Sequence, residues 1–442
     1  MNIRFFAPEI ILSVILIFAA SCGNNTNQQI GHTKVEKWQD GKTAAVTLTY
    51  DDGSANQFNV ALPIMDRLKL PATFYINTGN IAGSKYQRQF IGRPLKEIIK
   101  ETATTPTNED NLFERASAIR EIGNYEIREH HTRAGSLWES GKKTEAFQEI
   151  DKGYSMVRSD PSFQVLYKPQ PGDLSWDDLN QYAAQGHEFA SHTISHPRLS
   201  VMDEVNLVYE LEKSKEDILN NMGPNHTFSV ECPYGTEDER VMEYMYPRYE
   251  ASRNRMPEPY MEELNRGSRM QPYTSDKEYV QWQRGALSNT SLDQMKAWVD
   301  TCNVHSNIWL VLVFHGVDGV GWEAIPGDTL DAYFSYIKSH EDKIWVATFK
   351  DVTKYIRERM EAQISFTNNQ DQLSIQLTNN LDPKLYDLPL TLKTYIPSNW
   401  KEVEIIQGKT KNHVKAGKDE NGQYVVYQAI PNQEDIVLAN VE

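Results

Sequence analysis

Residues 44–77 read AAVTLTYDDGSANQFNVALPIMDRLKLPATFYIN. Val46, Leu48 and Tyr50 alternate with smaller or polar neighbours, which predicts a strand over Ala44–Tyr50. Asp51-Asp52-Gly53 breaks it, Val60, Ile64, Met65 and Leu68 follow at helical spacing, and Ala72–Asn77 reads as a second strand. Strand, turn, helix and strand make a βαβ unit, and repeated units build a parallel sheet or an α/β barrel.

The same rhythm returns downstream. SWDDLNQYAAQG predicts a helix ending at Gly186, HEFASH a strand, and VMDEVNLVYELEKSKEDILNNM a long amphipathic helix. Further strands are expected at Phe228–Cys232, around Tyr249–Ser252 and at Trp309–Phe314, whose unbroken apolar run suits burial on both faces. Asp328–Ile337 and Asp351–Met360 supply closing helices. From about Ile81 to Gly172 the sequence is instead charged and helix-prone, which reads as a helical insertion into the α/β unit. Beyond Glu361, short alternating segments (QISFT, QLSIQLT, LPLTLKTY, QYVVYQAI) punctuated by Asn, Asp, Gly and Pro predict a small all-β sandwich over 361–442.

With 442 residues the chain is long enough for two domains, and 45 Lys+Arg against 61 Asp+Glu give a net charge of −16. No basic run interrupts that balance, so a nucleic-acid partner is not expected. At the N-terminus, Arg4 precedes the apolar stretch Ile10–Ala20, which is short for a bilayer span but suits a secretory signal. Ala19-Ala20-Ser21-Cys22 resembles a bacterial lipoprotein processing site, with residues 1–22 as signal and lipidation cysteine and 23–38 as a polar tether. The expected location is the cell envelope, lipid-anchored through Cys22, facing the periplasm or the outer surface, with no other membrane contact. Cys232 and Cys302 then remain; a disulfide is open, while a cysteine metal site is excluded by number.

The chemistry-bearing residues lie at predicted strand ends: Asp51 and Asp52 after the first, His192 and His196 after another, His315 after a third. The C-terminal ends of parallel strands share one face, so these side chains can converge. One carboxylate and two imidazoles, Asp52, His192 and His196, make a facial set for a divalent ion with open positions for water and substrate. Asp51 is then the candidate general base and His315 the candidate acid for hydrolysis of an amide or ester. Each piece alone is ordinary: Asp-Asp-Gly is usually a turn and a lone histidine usually structural. Their joint occurrence at successive strand ends carries the argument. His130-His131, in a stretch with no apolar stripe, are expected at the surface, and Cys232 in packing.

These residues resemble a family. Thr49-Tyr50-Asp51-Asp52-Gly53 and Ser191-His192-Thr193-Ile194-Ser195-His196-Pro197 are similar to the first two motifs of the polysaccharide deacetylases among the carbohydrate esterases. Pro233-Tyr234-Gly235 resembles the end of the third motif and Leu312-Val313-Phe314-His315 the fifth, so the resemblance spans about Thr43 to Tyr355. It implies a distorted (β/α) barrel over 39–360, carrying the insertion at about 81–172. It also implies a Zn ion, or Co or Fe, on Asp52, His192 and His196, with Asp51 as base and His315 as acid. The backbone N–H of Tyr234, after Pro233, would help stabilise the oxyanion. Trp322 is a candidate for a sugar subsite, and Trp176 for either core or sugar.

Two features depart from the family. Glu231 stands where the third motif usually begins with Arg, and the usual Asp and Trp of the fourth motif have no counterpart. Arg253, after a neighbouring predicted strand, is the candidate to tune Asp51 in their place. The activity this points to is metal-dependent removal of N- or O-linked acetyl groups from a polysaccharide or oligosaccharide. The alternatives are a non-catalytic carbohydrate-binding lipoprotein and a C–N hydrolase of the same architecture with a non-acetyl substrate.

Overall fold

The computed structural model describes residues 30–441 apart from 169–171, 173, 236–237, 262, 267–269 and 370. The apolar segment Ile10–Ala20 and Cys22 lie outside the described residues, among which no helix is long and apolar enough to cross a membrane. After a short strand β1 (Thr33–Val35) the chain enters β2 (Ala44–Asp52), α1 (Leu62–Leu68) and β3 (Ala72–Ile76). The α/β rhythm resumes with α6 (Trp176–Ala183), β4 (Glu188–Ser191), α7 (Glu204–Met222), β5 (Ser229–Val230), α8 (Glu239–Met245), β6 (Ala251–Ser252), β7 (Glu263–Arg266) and β8 (Val280–Gly285). It closes with α9 (Leu292–Cys302), β9 (Ile308–Phe314), α10 (Gly327–Lys338), β10 (Ile344–Val346) and α11 (Phe349–Glu361).

Strands β2 to β10 form one parallel sheet in the order β6-β5-β4-β3-β2-β9-β8-β7, with β10 also pairing β2. The sheet curls into a distorted (β/α) barrel. β2 is at its centre and is buried on both faces, not on the one face that its alternation suggested. Val46, Leu48 and Tyr50 turn outward to the helices, and Tyr50 stacks between Phe74 (5.4 Å) and Phe314 (5.1 Å). Each such ring contributes about 2–3 kcal/mol of hydrophobic burial. Thr47 and Thr49 are polar yet fully buried: Thr47 Oγ1 accepts from Trp309 Nε1 (3.0 Å), and Thr49 Oγ1 donates to the Leu312 carbonyl (2.9 Å).

Between β3 and α6 lie α2 (Leu95–Glu101), α3 (Leu112–Ile119), α4 (Tyr125–Glu139) and α5 (Lys143–Ser159), which bury their own core of Ile98, Leu112, Ile119, Ile150, Tyr154 and Val157. His130 and His131 are not at the surface as expected but buried there. His130 Nδ1 pairs with Glu149 (2.9 Å), while the two ring nitrogens of His131 bridge the Ala116 carbonyl (2.8 Å) and the Arg198 N–H (3.0 Å). Partners supplied by other segments offset the burial of each imidazole, and sequence spacing does not show them.

The remaining strands are β11 (Gln363–Asn369), β12 (Gln372–Thr378), β13 (Leu390–Ile396), β14 (Glu402–Gln407), β15 (Thr410–Lys415), β16 (Gly417–Asp419), β17 (Gly422–Ala429) and β18 (Ile436–Asn440). They make a sandwich of two antiparallel sheets, β11-β12-β18-β14-β15 and β1-β13-β17-β16. Residues 33–35 are therefore not tether but a sandwich strand; three residues are too few to show an alternation, and pairing with β13 is what extends them. Cys302 lies in the core between barrel and helices and Cys232 in a separate core under α7 and α8, so the open disulfide between them does not form.

Candidate active site

In-register parallel pairing brings the strand ends to one face. Asp51 lies opposite Tyr75, Ser191 opposite Ile76 and Val230, and Val230 opposite Ser252. The residues that follow, His192, Glu231 and Arg253, surround the same opening as Asp51, Asp52 and His315, a cavity of about 820 Å³. His196, Tyr234 and Trp322 also line it, so the structure brings together every candidate site residue except Pro233, which lies buried in the turn beneath Tyr234. Trp176 is 6% exposed in the barrel core and touches no part of the cavity.

One oxygen of Asp52 and one nitrogen each of His192 and His196 lie within 4.8 Å of one another. Asp52 Oδ1 is 3.7 Å from His192 Nε2 and 3.3 Å from His196 Nε2. His192 Nδ1 donates to the Glu231 carbonyl (2.7 Å), which fixes the tautomer that leaves Nε2 free to ligate. Burial lowers both imidazoles to about 4, so both are neutral at physiological pH. Neutral nitrogen and carboxylate oxygen donors at this spacing fit a zinc-, cobalt- or iron-type ion.

The loop from His192 to His196 is held from outside the cleft. Glu210 of α7 accepts the N–H groups of Ile194 and Ser195, each at 2.9 Å, and the Ser195 hydroxyl. Arg120, just after α3, pairs with Glu210 (3.4 Å) and donates to the Ser195 carbonyl (3.0 Å) and hydroxyl (2.9 Å). Gly135 of α4 permits close packing on this loop, since a Cβ there would lie 2.4 Å from Arg198 Cδ. Neither Arg120 nor Glu210 carries a motif signal in the sequence, because their role rests on long-range packing alone.

Asp51 is 3% exposed and bound at both oxygens: Arg253 Nη1 donates to Oδ1 and Nη2 to Oδ2, each at 2.7 Å. Burial alone would raise this carboxyl, but the Arg253 charge and paired hydrogen bonds overcome it and hold Asp51 below the usual carboxylate range. Arg253 is itself positioned by Glu231 (3.1 Å) and by Thr49 Oγ1 (2.9 Å). Its carbonyl accepts from the side-chain amides of Gln281 and Gln283 on β8, bridging the sheet's two ends.

His315 Nε2 is 3.5 Å from Asp51 Oδ2. The Gly-rich loop after it doubles back, Gly316 N–H donating to the Trp322 carbonyl (2.7 Å), and sets the Trp322 ring edge-on to His315 at 4.6 Å. That return needs glycine at 321, where φ is +92° and a Cβ would lie 2.9 Å from Gly316 Cα. Gln57, in a π-helical turn before α1, donates to the His315 carbonyl (2.8 Å) and to that of Asp51, tying the two strand ends to one side chain. Asp52, Thr193, His196 and Tyr234 all have positive φ, at 75°, 67°, 56° and 62°. Non-glycine residues there cost of order 1 kcal/mol or more each, and such strain clusters at functional sites.

Residues 39–246 match the family profile described as polysaccharide deacetylase. A gellan lyase from Bacillus sp is 24% identical over 272 residues, covering 58% of this chain but 11% of that protein, so the chain spans about a tenth of the curated relative's length. Among solved structures, the peptidoglycan deacetylase PdaC from Bacillus subtilis is 14% identical, with 72% of this chain and 93% of that one covered and a TM-score of 0.31. A family 4 carbohydrate esterase from Streptomyces lividans is 12% identical, with 69% and 92% covered and a TM-score of 0.31. The profile match over residues 39–246, which contains both motifs, makes this part of the barrel similar to the polysaccharide deacetylase family.

Proposed function

We propose that this chain is a metal-dependent hydrolase that removes acetyl groups, N- or O-linked, from a polysaccharide, with Asp52, His192 and His196 holding zinc, or cobalt or iron. The observation that carries the reading is the single opening shared by that ligand set, the Arg253-bound Asp51 and His315. A divalent ion bound there supplies Lewis acidity, which makes water acidic near neutral pH and polarises an acyl carbonyl.

The chain's own residues do the rest. Asp51, kept ionised by Arg253, receives the proton of the attacking water. His315 beside it delivers a proton to the departing amine or alkoxide, so the two groups divide base and acid work. The Tyr234 N–H, held at positive φ between Pro233 and Gly235, donates to the developing oxyanion. Trp322, 58% exposed beside His315, offers an aromatic face to a sugar ring. Location in the cell envelope on a lipid at Cys22 belongs to the same proposal and is supported by the Ala19–Cys22 sequence alone.

Acetate release by protein lacking residues 1–22 tests this. The substrates are chitin oligomers, peptidoglycan fragments and acetylated xylan, with chelator, with zinc or cobalt restored, and with Asp51→Asn. Chelator-sensitive release lost in Asp51→Asn is expected. One equivalent of bound metal without acetate from any substrate would move the reading to a non-acetyl C–N hydrolase, and no bound metal to a binding protein.

A further inference from the structure

The insertion gathers positive charge beside the cleft that the mechanism leaves unused. Arg88, in the segment leading to α2, lays its guanidinium over Tyr167, 3.2 Å from the ring centroid, and Arg128 of α4 lies over the same ring at 5.4 Å. Both walls are anchored. The Gln87 carbonyl accepts from Tyr209 Oη on α7 (2.9 Å), and the Tyr167 N–H donates to the Glu121 carbonyl (2.7 Å) after α3. Arg120, two residues before Ile122 in the same turn, reaches the loop between His192 and His196 through Ser195, so this charge adjoins the ligand-bearing loop.

Arg120 has Glu210 as counter-charge. Among the described residues Arg88 has no ion-pair partner, and its Nε and Nη2 are buried with no hydrogen-bond acceptor, as is Nε of Arg128. Tyr167 meets both guanidinium groups through its ring. Glu121, the carboxylate whose field reaches Arg88 and Arg120, makes no ion pair within 4.0 Å among the described residues, and burial raises its pKa, which weakens it as a counter-charge. Burial, and then the charges of Arg120 and Arg128, lower Arg88 to about 10. Guanidinium groups that are desolvated, mutually repelling and without acceptors are unfavourable until an anion completes them. Both arginines are only partly buried as residues, so a ligand from solvent meets their outer nitrogens, while the inner ones keep the site short of negative charge.

We propose that Arg88 and Arg128, both held over the Tyr167 ring, form a subsite for an oxyanion carried by the glycan, a uronate carboxylate received by the two guanidinium groups. A planar guanidinium matches the geometry of a carboxylate, and the Tyr167 ring holds the two cations side by side to meet one. The inference rests on the polysaccharide reading of the neighbouring cleft and narrows it to an acidic polymer, in a chain whose net charge is −16 and which therefore needs local positive charge to receive one.

Calorimetric titration of the purified protein with trigalacturonate, xylotriose and inorganic phosphate, at low and high salt, tests it without turnover. Trigalacturonate is expected to bind more tightly than xylotriose, and Arg88→Gln and Arg128→Gln are each expected to weaken it about tenfold, as for a lost charge-assisted hydrogen bond. Xylotriose binding should not change in either variant. Phosphate bound in place of trigalacturonate and lost in both variants would keep the oxyanion site and assign it to a phosphorylated glycan. Arg88→Met should melt no lower than wild type, because an unanswered buried charge is removed; a structural arginine would melt lower. Equal affinity for trigalacturonate and xylotriose with no phosphate bound overturns the proposal, as does binding that both variants leave unchanged. Acetate release without uronate preference sinks this inference alone, and uronate binding without acetate release sinks only the catalytic reading.

Discussion

Arg253 grips both carboxylate oxygens of Asp51 across the interior of the barrel, from the end of β6 to the end of β2, at 2.7 Å each. The family's third motif usually begins with Arg, and this chain has Glu231 there. The charge pattern is preserved by relocation. Glu231 holds Arg253 at 3.1 Å, and Arg253 holds Asp51, so the departure at position 231 supports the arginine instead of removing it. A buried carboxylate–guanidinium–carboxylate set is self-consistent only as a whole, because any single deletion leaves an uncompensated charge.

Replacing Arg253 by Met should therefore raise the Asp51 pKa, reversing the lowering that the guanidinium imposes. The acid limb of kcat/KM moves to higher pH by more than one unit, and activity at neutral pH falls about 100-fold, as for an impaired general base. Lys at this position keeps the charge and loses the fork, giving an intermediate shift. Unfolding free energy should drop by about 3–5 kcal/mol in the Met variant, from two buried carboxylates left together. A pH–rate profile unchanged in both variants would remove Arg253 from the tuning of the base.

Glu210 offers a test of the supporting shell. It does not line the cavity, yet it accepts two consecutive backbone N–H groups between His192 and His196. Glu210→Ala should weaken metal affinity about 10–100-fold, the usual consequence of losing an outer-shell partner. Competition with a chromophoric chelator measures this directly. If activity at saturating metal recovers to near wild type, Glu210 acts through loop position; if it does not, the loop has refolded around the gap.

The parts of this arrangement legible in the sequence are those fixed by local pattern. The βαβ reading of residues 44–77 and the strand-end placement of Asp51, Asp52, His192, His196 and His315 follow from periodicity and parallel pairing. What escaped is non-local. Arg120 and Glu210 meet across 90 residues of chain, His131 is buried because Arg198 and Ala116 supply its partners, and Thr33–Val35 is a strand only because β13 lies beside it. Strand β8 escapes a reading by pattern because Gln281, Gln283 and Arg284 break the apolar alternation; Gln283 and Arg284 line the cavity, and Gln281 and Gln283 bind the Arg253 carbonyl.

Metal retention should be insensitive to pH until strongly acidic conditions. Protons compete with metal for His192 and His196, and burial lowers both to about 4 from an ordinary value of 6.5. Above pH 6.5 the imidazoles are neutral in folded and unfolded chains alike; as pH falls from 6.5 toward 4 only the unfolded chain gains these protons, so folded-state stability declines over that window. Dialysis at stepped pH followed by metal analysis should show full occupancy at pH 6 and steep loss near pH 4. Half-loss near pH 6.5 would mean that the ligands titrate as exposed histidines.

Glu358 of α11 gives the opposite sign and reports on the contact with the segment leading into β13. It is 0% exposed, Oε1 accepts from the Leu388 N–H (3.0 Å), and Oε2 is buried without a partner. Burial, opposed by the Leu388 N–H and Lys354, raises its pKa from 4.5 to about 7. A raised carboxyl favours folding while protonated, so its contribution is intact below pH 4.5, is lost as pH rises toward 7, and is gone above that. The shift corresponds to an upper bound of about 3 kcal/mol, and water reaching the site reduces it to about 2. Glu358→Gln keeps the acceptor for Leu388 and cannot ionise. Denaturant melts should show the variant more stable than wild type by about 2 kcal/mol above pH 7 and equal to it near pH 4. A variant less stable at every pH would mean that the carboxylate is answered by a cation in the folded chain and that burial does not govern its titration.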